Sequence, residues 1–98
     1  MLGLDLNLWR VFDSVMELRN LDRAAERLGL SQSAVSHALR RLRLALDDPL
    51  FVRGSGGLRP TERAEQIAPG VREALIALRG ARAQPSFDSS VSKRAFTI

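Results

Sequence analysis

Between Leu21 and Leu42 the chain reads LDRAAERLGLSQSAVSHALRRL, and its second half carries hydroxyls, an amide, an imidazole and guanidiniums at close spacing. These groups donate and accept hydrogen bonds or carry positive charge; they do not make a nucleophile with its base. Gln32 offers a donor and an acceptor that match adenine N6 and N7, or it bonds a phosphate. Ser36 can donate to a base or a phosphate. His37 presents one donor and one acceptor when neutral and holds phosphate when protonated. Arg40, Arg41 and Arg43 form a basic cluster, of which one or two suit phosphate and Arg43 reads as an ordinary solvated cation. Ser31 is chiefly a helix cap, and a serine there can also bond a phosphate. Arg53, further along, suits a minor groove or a phosphate. Each has an ordinary structural reading too: a solvated serine, an exposed amide, an edge charge that deters strand pairing. Their shared position favours contact with a nucleic acid.

The elements that must present these groups are legible from periodicity. Leu6 to Leu18 reads as a first helix, with Leu8, Val11, Phe12, Val15 and Met16 on one stripe, Trp9 half-buried beside it and Asp5 at the N-cap. A second helix runs from Leu21 or Asp22 to Leu28, with Asp22 as a cap and Ala24, Ala25 and Leu28 facing inward. Gly29 stands where a helix ends at positive φ, and Leu30 is expected to plug the turn. Ser31 caps a third helix, about Gln32 to Leu46, whose buried stripe is Val35, Ala38, Leu39, Leu42 and Leu46. Gln32, Ser33, Ser36, His37, Arg40 and Arg41 are left outside. Two short helices, a glycine turn and a polar outer face make a helix-turn-helix, in which the second helix enters the DNA major groove.

Leu50, Phe51 and Val52 have strand propensity, Gly54 to Gly57 supply a turn, and Leu58 and Arg59 return before Pro60 stops the pairing. The expectation is a β-hairpin wing with Arg53 and Arg59 flanking its tip. Thr61 caps a fourth helix, with Glu62 and Glu65 near its positive end. An apolar seam of Ile67, Val71, Ala74, Leu75 and Leu78 runs to about Arg82, with a kink or break expected at Pro69 and Gly70. The three-helix core is complete without that seam, so a second chain is expected to cover it. The fold class is therefore mainly α: a winged helix-turn-helix followed by a long linker helix. The organisation is 1–60 for DNA binding, 61–82 for dimerisation, and 83–98 for a hinge and the first strand of a domain the chain does not continue into.

Composition narrows the function classes. The 98 residues carry a net charge of +4, and nearly all of the 15 basic residues are arginine. With 45% hydrophobic residues a chain of this size folds around one modest core. The absence of cysteine excludes a disulfide framework and a thiolate site, and a single histidine argues against a metal centre. No metal or other cofactor is expected, and no catalytic residue: there is one histidine, and the GSGG at 54–57 lacks the Lys-Ser/Thr of a phosphate loop. No membrane span or secretory signal is legible, so a cytoplasmic protein is expected.

RAAERLGLSQSAVSHALRRLR, then DDPLFVR, then LRPTERA occur in series. In these segments the chain resembles the N-terminal DNA-binding region of LysR-type transcriptional regulators. DLNLWRVFD at the start and FDSS with KRAFTI at the end resemble the nodulation and aromatic-catabolism branch. The resemblance implies a dimer formed through linker helices, assembling further to tetramers, on imperfect palindromes of the T-N11-A type. It places Gln32, Ser33, Ser36 and His37 at the groove and Arg53 on the wing. Many relatives carry proline where Ser33 stands and arginine where His37 stands. It also implies a small-molecule sensor domain after Ile98, and hence no effector site within these residues. A competing reading is a protein-interaction module that pairs through the fourth helix with a full-length regulator and inhibits it.

Overall fold

The structure, a computed structural model, describes residues 6–83, with side chains described through Ala81. The elements are α1 (Leu6–Leu18), α2 (Leu21–Leu28), α3 (Gln32–Leu46), β1 (Phe51–Gly54), β2 (Gly57–Pro60) and α4 (Glu62–Ala83). This is the expected winged helix-turn-helix with a long fourth helix. The expected Asp5 cap and the expected hinge and strand over 84–98 lie outside the described residues.

One core joins the elements. Phe12, Leu39, Leu42, Leu50, Val11, Val15 and Val35 are its largest fully buried side chains, with Ala24, Ala25 and Ala64 filling the close approaches. Burial of each large side chain contributes roughly 1.5–3 kcal/mol. Phe12 binds the helices to the wing: its ring centroid lies 5.7 Å from that of Phe51, while Trp9 meets it edge-on at 6.2 Å. Trp9 is half-buried, as its place beside the stripe predicts.

The turns are set by local hydrogen bonds. Asn20, not Asp22, caps α2: its Oδ1 accepts the Arg23 N–H at 2.9 Å. The helix starts two residues earlier than an Asp22 cap would allow, and the Asp22 charge falls in its first turn. At the other end the Gly29 N–H donates to the Glu26 carbonyl and the Leu30 N–H to the Ala25 carbonyl, with Gly29 at φ 70°. That pair of bonds is the Schellman stop, and it needs the left-handed residue. Leu30 does not plug this turn; it is 43% exposed, since the turn is closed by backbone bonds from Gly29 and Leu30 while Ala24 and Ala25 fill the interior. Asp47 ends α3 in the left-handed region, with its N–H on the Arg43 carbonyl.

The wing is a two-stranded antiparallel hairpin in which Phe51 stands opposite Pro60, Val52 opposite Arg59, Arg53 opposite Leu58 and Gly54 opposite Gly57. Pro60 is thus the last residue of β2 rather than the residue beyond it, a position open to proline at a strand end on a two-stranded ribbon. The hairpin is moored to the helices at Arg19, whose carbonyl accepts the Leu58 N–H at 3.1 Å. Arg19 itself closes α1 at φ 56°, with its Nε donating to the Met16 carbonyl at 2.6 Å.

α4 runs through Pro69 and Gly70 without the expected break. Its first half packs on the core through Ala64, Ile67, Ala68 and Val71. Arg72 then donates to both carboxyl oxygens of Asp13 at 3.2 and 3.4 Å and to Glu17 at 2.9 Å, and Glu17 also accepts from Arg27 at 2.9 Å. External packing and these ties hold the helix across the ladder bond that Pro69 lacks. The ion pairs are largely solvent-exposed, so their role is alignment more than stability.

Candidate nucleic-acid interface

From Gln32 to Leu42, α3 separates its side chains cleanly. Val35, Ala38, Leu39 and Leu42 are buried against α1 and α2, and Gln32, Ser33, Ser36, His37, Arg40 and Arg41 are all exposed. The alternation follows the 3.6-residue period, which leaves one strip of hydroxyl, amide, imidazole and guanidinium groups turned to solvent. Ser31 begins this strip. Its backbone is extended (φ −76°, ψ 159°) and its Oγ accepts the Ala34 N–H at 3.1 Å, so capping uses an acceptor and leaves the hydroxyl proton free.

The basic cluster divides as its geometry requires. Arg43 is a partly exposed cation that is also tied to the backbone: its Nε donates to the Pro49 carbonyl at 2.8 Å and steadies the turn into the wing. Among the described residues, Arg40, Arg41 and Arg53 make no such bond and are exposed. Free guanidiniums on α3 and on the wing are two separated points of positive charge on one molecule. The arrangement suits a polyanion that spans both elements.

Two positioning devices escaped the sequence reading. The first centres on Asp48. Its Oδ2 accepts the Leu50 N–H at 2.8 Å and the Thr61 hydroxyl at 2.7 Å; Thr61 Oγ1 in turn accepts the Ala64 N–H at 3.1 Å, and the Thr61 N–H donates to the Leu50 carbonyl at 2.8 Å. Leu50, fully buried, is held in this frame at φ 64°, a conformation a leucine adopts only when its surroundings enforce it. The Thr61 hydroxyl first, and the Leu50 amide next, hold the Asp48 carboxyl below its ordinary value of 3.8. The signal available was Asp-Pro after a helix, where an aspartate side chain commonly bonds a backbone N–H two residues on. The second device is Gly57, at φ 121°, where an added Cβ would stand 2.9 Å from the Arg19 carbonyl oxygen. Only glycine lets β2 reach the mooring at Arg19.

The α4 seam is covered differently from the expectation. Ile67 and Val71 pack on this chain's own core and Leu75 is 8% exposed, whereas Ala74 and Leu78 are exposed. The seam is therefore not wholly left for a second chain; α1 takes part of it. What remains open is Leu78, at 45% exposure, and Ile76, at 51%. They border a groove of about 800 Å³ between α1, α2 and α4. Among the described residues no three His, Asp or Glu side chains are grouped to hold a metal ion, and no helix is long and apolar enough to cross a membrane.

A winged helix-turn-helix with an exposed polar recognition face and a long trailing helix defines a class of DNA-binding regulator domain. Residues 6–65 match the family described as "Bacterial regulatory helix-turn-helix protein, lysR family". The chain is 49% identical over 96 residues to the HTH-type transcriptional activator NahR of Pseudomonas putida, covering 97% of this chain and 32% of that protein. It is 51% identical over 74 residues to nodulation protein D 1 of Rhizobium leguminosarum bv. phaseoli, covering 76% and 24%. Among solved structures, the probable transcriptional regulator PA0477 of Pseudomonas aeruginosa superposes with a TM-score of 0.75 at 52% identity, over 80% of this chain and 26% of that one. The chain belongs to the LysR family and carries its helix-turn-helix DNA-binding domain. It spans about a third of the length of NahR.

Proposed function

We propose that the chain binds double-stranded DNA sequence-specifically as a homodimer on an imperfect palindrome. Each copy places α3 in a major groove, where Gln32, Ser33, Ser36 and His37 meet base edges and Ser31, Arg40 and Arg41 meet phosphates. Arg53 carries the wing to the adjacent minor groove or its phosphates. The observation that carries this reading is the exposed face of α3 from Gln32 to Arg41, every exposed member of which is a hydrogen-bonding or cationic group. The dimer follows from arithmetic. Each bidentate base contact discriminates by roughly 1–3 kcal/mol, and one α3 offers few of them. Two copies on half-sites about 34–36 Å apart per helical turn double that discrimination. The exposed Ile76 and Leu78 on α4 supply apolar surface for pairing.

Selection from a random duplex pool, followed by fluorescence anisotropy at two salt concentrations, tests both halves. The expected outcome is an enriched inverted repeat whose affinity falls steeply with salt, bound by a species that sediments as two chains. Salt-insensitive binding, or none to any duplex at low salt, overturns the DNA reading. A monomer on a single half-site overturns the dimer.

A further inference from the structure

His37 is the only histidine in the chain, and the fold puts it in the middle of the exposed face of α3. One turn before it stands Ser33, and Arg40 and Arg41 follow one turn after. It makes no hydrogen bond or ion pair among the described residues. Nothing in the fold therefore claims either ring nitrogen.

The charged groups on the elements packed against α3 are otherwise placed. On α1, Asp13 and Glu17 are engaged with Arg72, and Glu17 also with Arg27 of α2. Arg10 bonds Asn7. On α2, Asp22, Arg23 and Glu26 are exposed and form no pair with His37. On α3 itself Arg43 is turned to the Pro49 carbonyl. The neighbours of His37 along its own face are thus two free cations and no bonded carboxylate.

We propose that His37 makes DNA binding by this chain proton-linked: the complex takes up a proton at His37, so affinity is highest in mild acid and falls as the pH rises through neutrality. The proposal rests on the DNA-binding reading above and adds its regulation. The physical reason is the change of surroundings at one ring. Free, the imidazole sits in water beside two guanidiniums. Bound, it faces the phosphates and acceptor edges of the groove, an environment that favours the charged, two-donor form. A group favoured in its protonated form by binding contributes fully at low pH, and that contribution is lost as the pH climbs through the bound-state titration. Arginine at this position would give a charge independent of pH; histidine gives one that switches. Imidazole is the side chain whose charge ordinarily changes between about pH 5 and 8, and neither DNA phosphates nor base edges titrate there.

The test measures anisotropy of the full 98-residue chain on the duplex enriched by selection and on a random-sequence duplex, from pH 6 to 8 at constant ionic strength. Affinity for the enriched duplex is expected to fall by up to about tenfold per pH unit for each His37 engaged. His37→Gln is expected to bind weakly and without this slope; His37→Arg is expected to bind at pH 8 as at pH 6. His37 is exposed, so both variants fold, which circular dichroism verifies. The chain's α-amino group also titrates in this range, and it is common to all three proteins, so only the difference between them counts. A slope shared with random DNA assigns the proton to a phosphate contact; a slope confined to the enriched duplex assigns it to a base. Binding that is level with pH in the wild type, or that falls equally in His37→Gln, overturns the proposal while leaving DNA binding intact. No binding at any pH overturns the DNA reading itself, and this one with it.

Discussion

Asp48 and Thr61 lie thirteen positions apart and meet at 2.7 Å, the Thr61 hydroxyl donating to Asp48 Oδ2. The bond closes the wing at its base. It joins the end of α3 to the start of α4 and frames the left-handed Leu50 between them. Thr61→Ala removes a helix N-cap together with the donor to Asp48. It is expected to cost about 1 kcal/mol for the cap, which lowers Tm by roughly 4–8 °C in a domain of this size. Thr61→Ser keeps both bonds and is expected to melt near the wild type; equal losses in the two variants would show that the hydroxyl is not the active part.

The same bond sets an acid limit. The Thr61 hydroxyl and the Leu50 amide hold Asp48 below 3.8, and the Arg27 and Arg72 guanidiniums hold Glu17 below 4.5. A carboxyl lowered by folding stabilises the fold above its unfolded value, and that contribution disappears as pH falls through the folded value. Urea midpoints are expected to be level near neutrality and to decline below pH 4.5. Thr61→Val removes the largest cause acting on Asp48 and makes the decline shallower. A decline of unchanged steepness refutes the assignment.

Gly57→Ala is expected to uncouple the wing while sparing the helical core. Its Cβ would approach the Arg19 carbonyl oxygen at 2.9 Å, and the residue would have to hold φ 121°. Both faults fall on backbone, which cannot swing aside as a side chain does. Hydrogen exchange at the Leu58 amide reports the mooring directly. Faster exchange there, with α1 and α3 amides unchanged, is the expected result; uniform protection contradicts it.

Salt dependence separates Arg40 and Arg41 from Arg43. Each phosphate contact contributes about 0.9 to the slope of log affinity against log salt. Arg40→Ala and Arg41→Ala are each expected to lower that slope by about one contact per chain. Arg43→Ala is expected to leave it unchanged and to loosen the turn at Pro49 instead. A slope that falls with Arg43 alone would reverse the partition.

For pairing through α4, Leu78→Glu is the informative change. Leu78 is 45% exposed, so a charge there disturbs an interface without disturbing this fold, whereas Leu75→Glu would place a carboxylate at a position only 8% exposed within one chain. Sedimentation of Leu78→Glu is expected to shift toward monomer at an unchanged melting temperature. An unaltered sedimentation coefficient places any interface elsewhere.

The helices and the exposed face of α3 were legible because period and capping residues agree there: Val35, Ala38, Leu39 and Leu42 on one side, Ser31 and Gly29 at the ends. Asn20 was overlooked because Asp22 looked an equally good cap; the choice depends on backbone extension at Asn20 (φ −152°), which no local pattern states. Leu30 was misplaced because an apolar residue in a turn suggests burial, whereas the turn buries Ala24 and Ala25 and leaves Leu30 43% exposed. The coverage of Leu75 by α1, and the reach of Arg72 to Asp13 and Glu17, join positions more than fifty residues apart. Such contacts belong to tertiary packing, where the linear spacing of residues is silent.

Arg72, fastened to two carboxylates of α1, makes α4 a strut and not a tether. Past Leu75 the helix continues for a further eight residues, an arm of about 12 Å. The arm extends from a segment packed on α1, and α1 is packed directly on α3. Through that packing the direction of the arm is fixed relative to the reading face in this structure. In any pair of chains joined along α4, the angle at which the two struts cross is the gauge that sets how far apart, and at what tilt, the two faces meet a duplex.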